Sequence, residues 1–489
     1  MRYVLMSILI CASSGLAQAQ APTRDPAAVA LIDQSISAHA SGPAQARLSF
    51  RGTTTSPDQS ETPDGPVRPH PWLVDVAIDE AAQSFAMTSD IGIDGDLRFP
   101  RKIGFAGGKG FATRYTGEYD LLTDMPAEAN GQLPHLLLKS VLKNAESLSA
   151  ATDQQFDRVT YRLATGPETS LLLDHKTHLL FAQRRAPIPT AFGDRSSEIV
   201  YGPYRRVGAL MVPQSIAFRF KSPALGQFEY ALDLVAARVG GPTANELQPP
   251  AGSQLRRPPS MEFTVERYGD RAFLLRNAGS EGQFAYNVLV VPFADHVLVV
   301  EAALNDATSR KVIEEVGKLA PGKPIRTLVQ THHHGDHIGG IRTYIAQDVQ
   351  ILAPAGTRGF IQRIAAAHSE MAPDALASAP RAPRIEEVAA DRTIADATNE
   401  VRLLTYPNDH SGGMLIVYLP RQKLLYQGDM ISAGELPLYG SSRAFLRWVR
   451  ARKLDVTALA GLHGRTVADR ELADLLDNQV LRASPPRGN

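Results

Sequence analysis

Residues 331 to 337 read Thr-His-His-His-Gly-Asp-His and follow almost at once on the apolar run Ile325 to Val329. Four imidazoles and one carboxylate packed between His332 and His337 are more metal-binding groups than a structural loop needs. Gly339-Gly340 come next, with a helix expected behind them. A chain that leaves a strand, turns abruptly and enters a helix gathers ligands at the end of a sheet, so the fold must present a strand edge to a site.

Three later positions have the same character. Asn408-Asp409-His410-Ser411-Gly412-Gly413 stands directly before the strand-like run Met414 to Leu419, Leu424 to Gln427 leads into Gly428-Asp429-Met430, and Gly461-Leu462-His463-Gly464 lies near the C-terminus. Taken singly, Asp336 would serve to cap the helix behind it, and His410 or His463 would be ordinary loop histidines. Taken together, the seven residues His332, His334, Asp336, His337, His410, Asp429 and His463 are of the types that hold zinc, and each is expected at a strand end.

The H-x-H-x-D-H order, followed by a His, an Asp and a final His, resembles the metallo-β-lactamase superfamily over roughly residues 260 to 480. The resemblance implies an αββα sandwich in which His332, His334 and His410 hold one metal, Asp336, His337 and His463 hold a second, and Asp429 bridges them. It gives His333 no ligand role. Two divalent ions can share a hydroxide, lower its pKa towards neutrality and polarise the bond under attack. Asp336 would then orient the nucleophile and move its proton. A carboxylate at 429, where some β-lactamases carry a thiolate, looks like glyoxalase II, lactonases and related esterases. Two zinc ions per chain are the expected cofactor, with manganese or iron as further candidates because carboxylate is a harder ligand.

The chain of 489 residues is long enough for two domains. Met1-Arg2, the apolar stretch from Tyr3 to Ile10 and Ala17-Gln18-Ala19 predict a secretory signal peptide over 1–19, and hence a periplasmic or secreted protein. Cys11 is the single cysteine and lies inside that leader, so no disulfide is expected. Two Pro-Pro pairs, Pro249-Pro250 and Pro258-Pro259, place a linker between a β-rich domain over 20–250 and a hydrolase domain over 260–480.

Upstream, Ile216, Phe218 and Phe220 alternate with Ala217, Arg219 and Lys221, and Phe228, Tyr230 and Leu232 alternate in the same way, the mark of antiparallel sheet with one wet face. Helices are expected near Ala27 to Ala38 and Leu133 to Asn144. Ser56 to Pro71, with five prolines, reads as a mobile loop, and Asp174 to His178 as a hairpin turn. The α+β class follows. Downstream, the Pro- and Ala-rich stretch 371–384 reads either as a lid or as an inert surface loop.

Lys plus Arg equals Asp plus Glu at 51 each, so no global field favours nucleic acid or an anionic membrane. A small-molecule substrate is the expected partner, with no transmembrane anchor once the leader is cut. The expected activity is metal-dependent hydrolysis of an ester, thioester or lactone carbonyl. The alternatives are a β-lactam substrate, a mono-iron sulfur or oxygen redox enzyme on the same fold, or an envelope binding module with an idle hydrolase half.

Overall fold

The computed structural model describes residues 23–481 except 66, 94–96, 115–116, 126–128, 257–260 and 282–283. The expected leader with Cys11 and the pair Pro258-Pro259 lie outside the described residues. No helix among the described residues is long and apolar enough to cross a membrane.

The N-terminal half is a mostly antiparallel β domain built around one sheet of 14 strands. Strand Gln45–Thr54 shows how alternation makes it: Ala46, Leu48 and Phe50 are buried, while Arg47, Ser49 and Arg51 between them are only part-buried. Helices Pro26–His39 and Pro134–Asn144 cover the apolar face through Ala28, Ile32, Leu138 and Val141. Each starts with proline, whose missing N–H costs nothing in the first turn.

That sheet is strongly curled. Ala112 on strand Lys109–Thr113 and Tyr161 on strand Phe156–Arg162 stand ten places apart in the strand order. Flat, they would be roughly 48 Å apart at the usual strand spacing, yet both line one cavity beside helix Pro134–Asn144. The expected alternation holds: Arg219, Lys221, Glu229 and Asp233 are exposed, while on the other face Phe218, Phe220, Phe228 and Tyr230 are part-buried and stack on one another with centroids 4.9–5.5 Å apart.

Gln254–Leu255 still belongs to this sheet, pairing in parallel with strand Glu118–Leu122. Beyond it, two sheets pack face to face. One has seven strands, in which Val297–Val300, Ile325–Val329, Gln350–Pro354 and Arg384–Val388 run parallel. The other has six, from Arg392–Ala395 to Val467–Ala468. Leu289, Leu298 and Val329 meet Leu403, Leu415 and Tyr426 between them.

Helix Asp306–Leu319 turns Val312 and Val316 onto the outer face of the first sheet, and Gly440–Arg452 turns Phe445, Leu446 and Val449 onto that of the second. The result is an αββα sandwich.

Candidate metal centre

The His-rich loop leaves strand Ile325–Val329 at its C-terminal end, where a parallel sheet opens to a crevice. Two glycines let it turn there. A Cβ on Gly339 would lie 2.1 Å from the Leu304 carbonyl oxygen, and one on Gly340 would lie 2.0 Å from Ser309 Oγ. The neighbouring chain is strained too: Glu301 and Leu304 hold φ of 81° and 63°, a region that costs a branched or long side chain energy and clusters at functional sites. The Ala302 and Leu304 amides donate to the His337 and Asp336 carbonyls, fixing the loop to this segment.

The seven sequence-predicted residues come together in two overlapping groups, His332, His334, His410 and Asp429 on one side and Asp336, His337, Asp429 and His463 on the other. Within each group every candidate ligand atom lies within 4.8 Å of the others. Asp429 belongs to both. Its Oδ2 lies 3.3 Å from His410 Nε2 and 3.8 Å from His332 Nε2, while its Oδ1 lies 2.9 Å from His337 Nε2 and 3.5 Å from His463 Nε2. His333 is outside both groups, edge-on to Phe360 and near Ser60 Oγ.

Proton placement shows that the groups suit a cation. His334 Nε2 lies 3.0 Å from the Ser60 carbonyl, which only accepts, so Nε2 carries the hydrogen and Nδ1 is bare. His337 Nδ1 donates to Glu301 Oε1 at 3.0 Å and His463 Nδ1 to the Ala285 carbonyl at 3.3 Å, while their Nε2 atoms face Asp429 Oδ1 and Asp336 Oδ2, each at 2.9 Å. Each of these rings has acceptors on both sides, so its Nε2 carries a second proton or gives that place to a metal cation. The buried atoms without a hydrogen-bond partner include His332 Nε2, His334 Nδ1, His337 Nε2 and Asp429 Oδ1, and all converge on the same space. Most buried polar atoms in proteins have a hydrogen-bond partner, and a cluster of them without one marks a place for a ligand. The donor set fits a divalent metal.

The electrostatics divide the histidines into two pairs. Burial pushes the imidazoles of His332 and His334 well below their ordinary value, and neighbouring imidazoles push the same way, which keeps them neutral as ligation requires. Burial alone would raise Asp336 and Asp429, but His337 and His463 hold both well below the usual carboxylate range. Burial would lower His337 and His463, and the facing carboxylates, Asp429 first, raise them instead.

Sequence reasoning missed two kinds of residue. Glu301 is fully buried at the end of strand Val297–Val300 and accepts from Gln330 Nε2 at 2.8 Å, Thr331 Oγ1 at 2.6 Å and His337 Nδ1 at 3.0 Å. It sets the tautomer and orientation of His337, as carboxylates behind ligating histidines do. An acidic residue closing an all-apolar strand was the available signal.

The second kind comes from the N-terminal half. The segment expected as a mobile loop at Ser56 to Pro71 instead docks on the centre. Gln59 Nε2 donates to Asp336 Oδ1 at 3.1 Å, the Ser60 carbonyl takes the His334 hydrogen, and a Cβ on Gly335 would lie 2.6 Å from Asp58 Oδ2. Arg363 holds the same segment through Asp64 and the Pro63 carbonyl. Burial pushes the Asp58 carboxyl up.

The stretch 371–384 plays no such part. Asp194 accepts from Ser369, Glu370 and Met371, Asp374 pairs with Arg342, and none of 371–384 lines the cleft among the described residues. Asp174 to His178 is a turn as expected, with the Asp174 carboxylate accepting from the Lys176 and Thr177 amides. The cleft over the centre has a volume of about 900 Å³ and is lined by both halves, with Asp336, His410, Asp429 and His463 on one wall and Gln59, Ile91 and Phe192 on the other.

The sequence profile of the metallo-beta-lactamase superfamily matches residues 282–478, a span that holds all seven residues. Among curated proteins, the alkyl/aryl-sulfatase BDS1 of Saccharomyces cerevisiae is 26% identical over 76 residues, which is 14% of this chain. The matched stretch spans 12% of that relative's length.

Among solved structures, a metallo-beta-lactamase from Pontibacter korlensis is 16% identical with a TM-score of 0.36, over 45% of this chain and 100% of that one. FIM-1 from Pseudomonas aeruginosa, in a mono-zinc form, is 21% identical with a TM-score of 0.34, over 46% and 97%. DIM-1 is 19% identical with a TM-score of 0.34, over 44% and 96%.

Proposed function

We propose, from the premise that residues 282–478 belong to the metallo-beta-lactamase superfamily, that this protein is an exported hydrolase of ester, thioester or lactone carbonyls that works with two zinc ions. The observation that carries the reading is the pair of four-residue groups sharing Asp429 at the wall of one cleft. His332, His334 and His410 with Asp429 would hold one ion, and Asp336, His337 and His463 with Asp429 the other. When bound, the ions supply Lewis acidity and a water acidified towards neutrality.

The protein's own groups do the rest. Asp336 receives hydrogen bonds on Oδ1 from Gln59, so one oxygen is held while the other faces the centre and can orient a nucleophile and move its proton. Glu301 keeps His337 from turning. The docked 56–61 segment closes the cleft on the N-terminal side, which limits water and strengthens the electrostatics inside. A carboxylate at 429 favours acyl substrates over β-lactams, and the leader-like features of residues 1–19 support export. A small-molecule substrate suits the size of the cleft.

A sulfuric ester is the second reading, favoured by the name of the yeast relative. A panel of carboxylic esters, thioesters, lactones, sulfate esters, phosphodiesters and nitrocefin, run on zinc-loaded protein, separates these readings. Turnover of acyl substrates abolished by His334→Ala supports the first. Turnover of sulfate esters or nitrocefin alone overturns it.

A further inference from the structure

The cleft does not end at the sandwich. Ile91, Phe99 and Phe284 line both the cleft over the metal centre and a second cavity of about 920 Å³, which runs along the concave face of the N-terminal sheet against helix Pro134–Asn144. Trp72, Val74, Met87 and Phe218 from the sheet and Leu137 and Val141 from the helix give it apolar walls. Two of the polar groups along it are paired, Gln183 donating to the Tyr161 hydroxyl at 2.9 Å and Arg114 bridging to Asp120 at 2.8 Å, while the buried Tyr201 hydroxyl and Gln132 Oε1 have no hydrogen-bond partner. A curled sheet that wraps one helix would ordinarily fill such a space with side chains, since interiors pack densely. Here a space of ligand size stays open, and Ile91, Phe99 and Phe284 are common to its lining and that of the cleft over the metal centre.

Resting on the hydrolase reading above, we propose that this cavity takes the apolar tail of the substrate, and that the substrate is an ester or thioester of a medium- or long-chain acyl group. The carbonyl sits beside Asp336 and Asp429 while the hydrocarbon passes Ile91 and Phe99 into the N-terminal half. Water adds its oxygen to the acyl carbon, the bond to the alcohol or thiol breaks, and the leaving group takes a proton. The products are a fatty carboxylate and an alcohol or thiol. The N-terminal domain is then the specificity element of the enzyme.

The test uses the full-length zinc-loaded protein and a series of p-nitrophenyl esters from acetate through butyrate and octanoate to decanoate. Each methylene buried in the cavity raises kcat/KM by roughly three- to fourfold until the tail fills it. Binding is read separately. The chain has two tryptophans, Trp72 in the cavity and Trp448 on helix Gly440–Arg452, so in a Trp448→Phe background sodium decanoate shifts the Trp72 emission.

Ile199→Glu, which puts a charge on the cavity wall, lowers the decanoate-to-acetate ratio at least tenfold and removes the Trp72 response. Ile199→Ala is the milder variant if the first does not fold, and it lowers the ratio several-fold. Acetate turnover that does not change with chain length, with no Trp72 shift, overturns the tail assignment and leaves the hydrolase reading intact. A Trp72 shift with no turnover of any ester supports the tail cavity and overturns the acyl-hydrolase reading.

Discussion

One buried histidine of the N-terminal half, His39, and the buried histidines of the sandwich show how the same side chain serves structure or chemistry. In the N-terminal half, His39 has both ring nitrogens in use: Nδ1 donates to the Ser35 carbonyl at 2.8 Å, and Nε2 accepts from the Leu180 amide at 3.3 Å. It ties helix Pro26–His39 to strand Leu180–Thr190 and has nothing left to offer a ligand. In the sandwich, His332, His334 and His337 each keep one nitrogen without a hydrogen-bond partner, and those nitrogens point into one space. Burial is common to both. What separates them is whether the polar accounting closes within the protein or needs a cation.

The sharpest way to break this contrast is to remove the residue common to both groups. Asp429→Ala takes a ligand from each, and hydrolysis of the preferred substrate falls on the order of a thousandfold or more. Circular dichroism that stays native with activity retained would put Asp429 on the structural side of the comparison.

The structural side has its own signature in pH. Burial, partly offset by the Ser35 bond, lowers the His39 pKa from 6.5 to about 4. The unfolded chain therefore takes up a proton near pH 6.5 and the folded chain only near 4, so stability falls as pH drops between these values and is complete above 6.5. The loss reaches about 3 kcal/mol at the acid end. Urea melts at several pH values on wild type and His39→Gln check this, and the variant loses the His39 share of the acid slope in that window.

A smaller effect tests the carboxylate behind the centre. Glu301→Gln keeps the size but weakens the hold on His337, and metal affinity measured by chelator competition falls by about ten- to a hundredfold. An unchanged affinity would make Glu301 a packing residue.

The smallest expected effect concerns the bridge between the halves. Gln59→Ala removes one hydrogen bond to Asp336, and kcat/KM falls by up to about tenfold with the melting temperature unchanged. A fall in melting temperature with activity intact would instead make the 56–61 segment a structural strap.

The site residues were legible because the signal is local. His332 to His337 lie in one loop, and His410, Asp429 and His463 each follow a short strand or precede one, so the order implied by the resemblance to the metallo-β-lactamase superfamily could be matched residue by residue to the set that the fold brings together. Glu301 carries no motif, and only its burial against His337 reveals its part. Asp58, Gln59 and Ser60 were hidden for a different reason. Gln59 meets Asp336 across 277 positions, a contact that only tertiary packing creates, and a proline-rich stretch with few apolar residues looks like a free loop until its partners are known.

In the fold, alternation at Ile216 to Lys221 and Phe228 to Asp233 gave strands, and helix Asp306–Leu319 was readable from Val312 and Val316. The curl of the 14-stranded sheet was not readable, because it depends on which distant strands close around helix Pro134–Asn144. The cover over the site was sought at 371–384 for its proximity in sequence to the ligands. Asp194 and Asp374 pin that stretch elsewhere.

The most direct measurement is a metal count by mass spectrometry on purified wild type and Asp429→Ala, with the protein concentration fixed by amino-acid analysis. The account predicts two divalent ions per wild-type chain, chiefly zinc, and a clear loss in the variant. A wild type that carries no stoichiometric metal, or one iron per chain and no zinc, would contradict it.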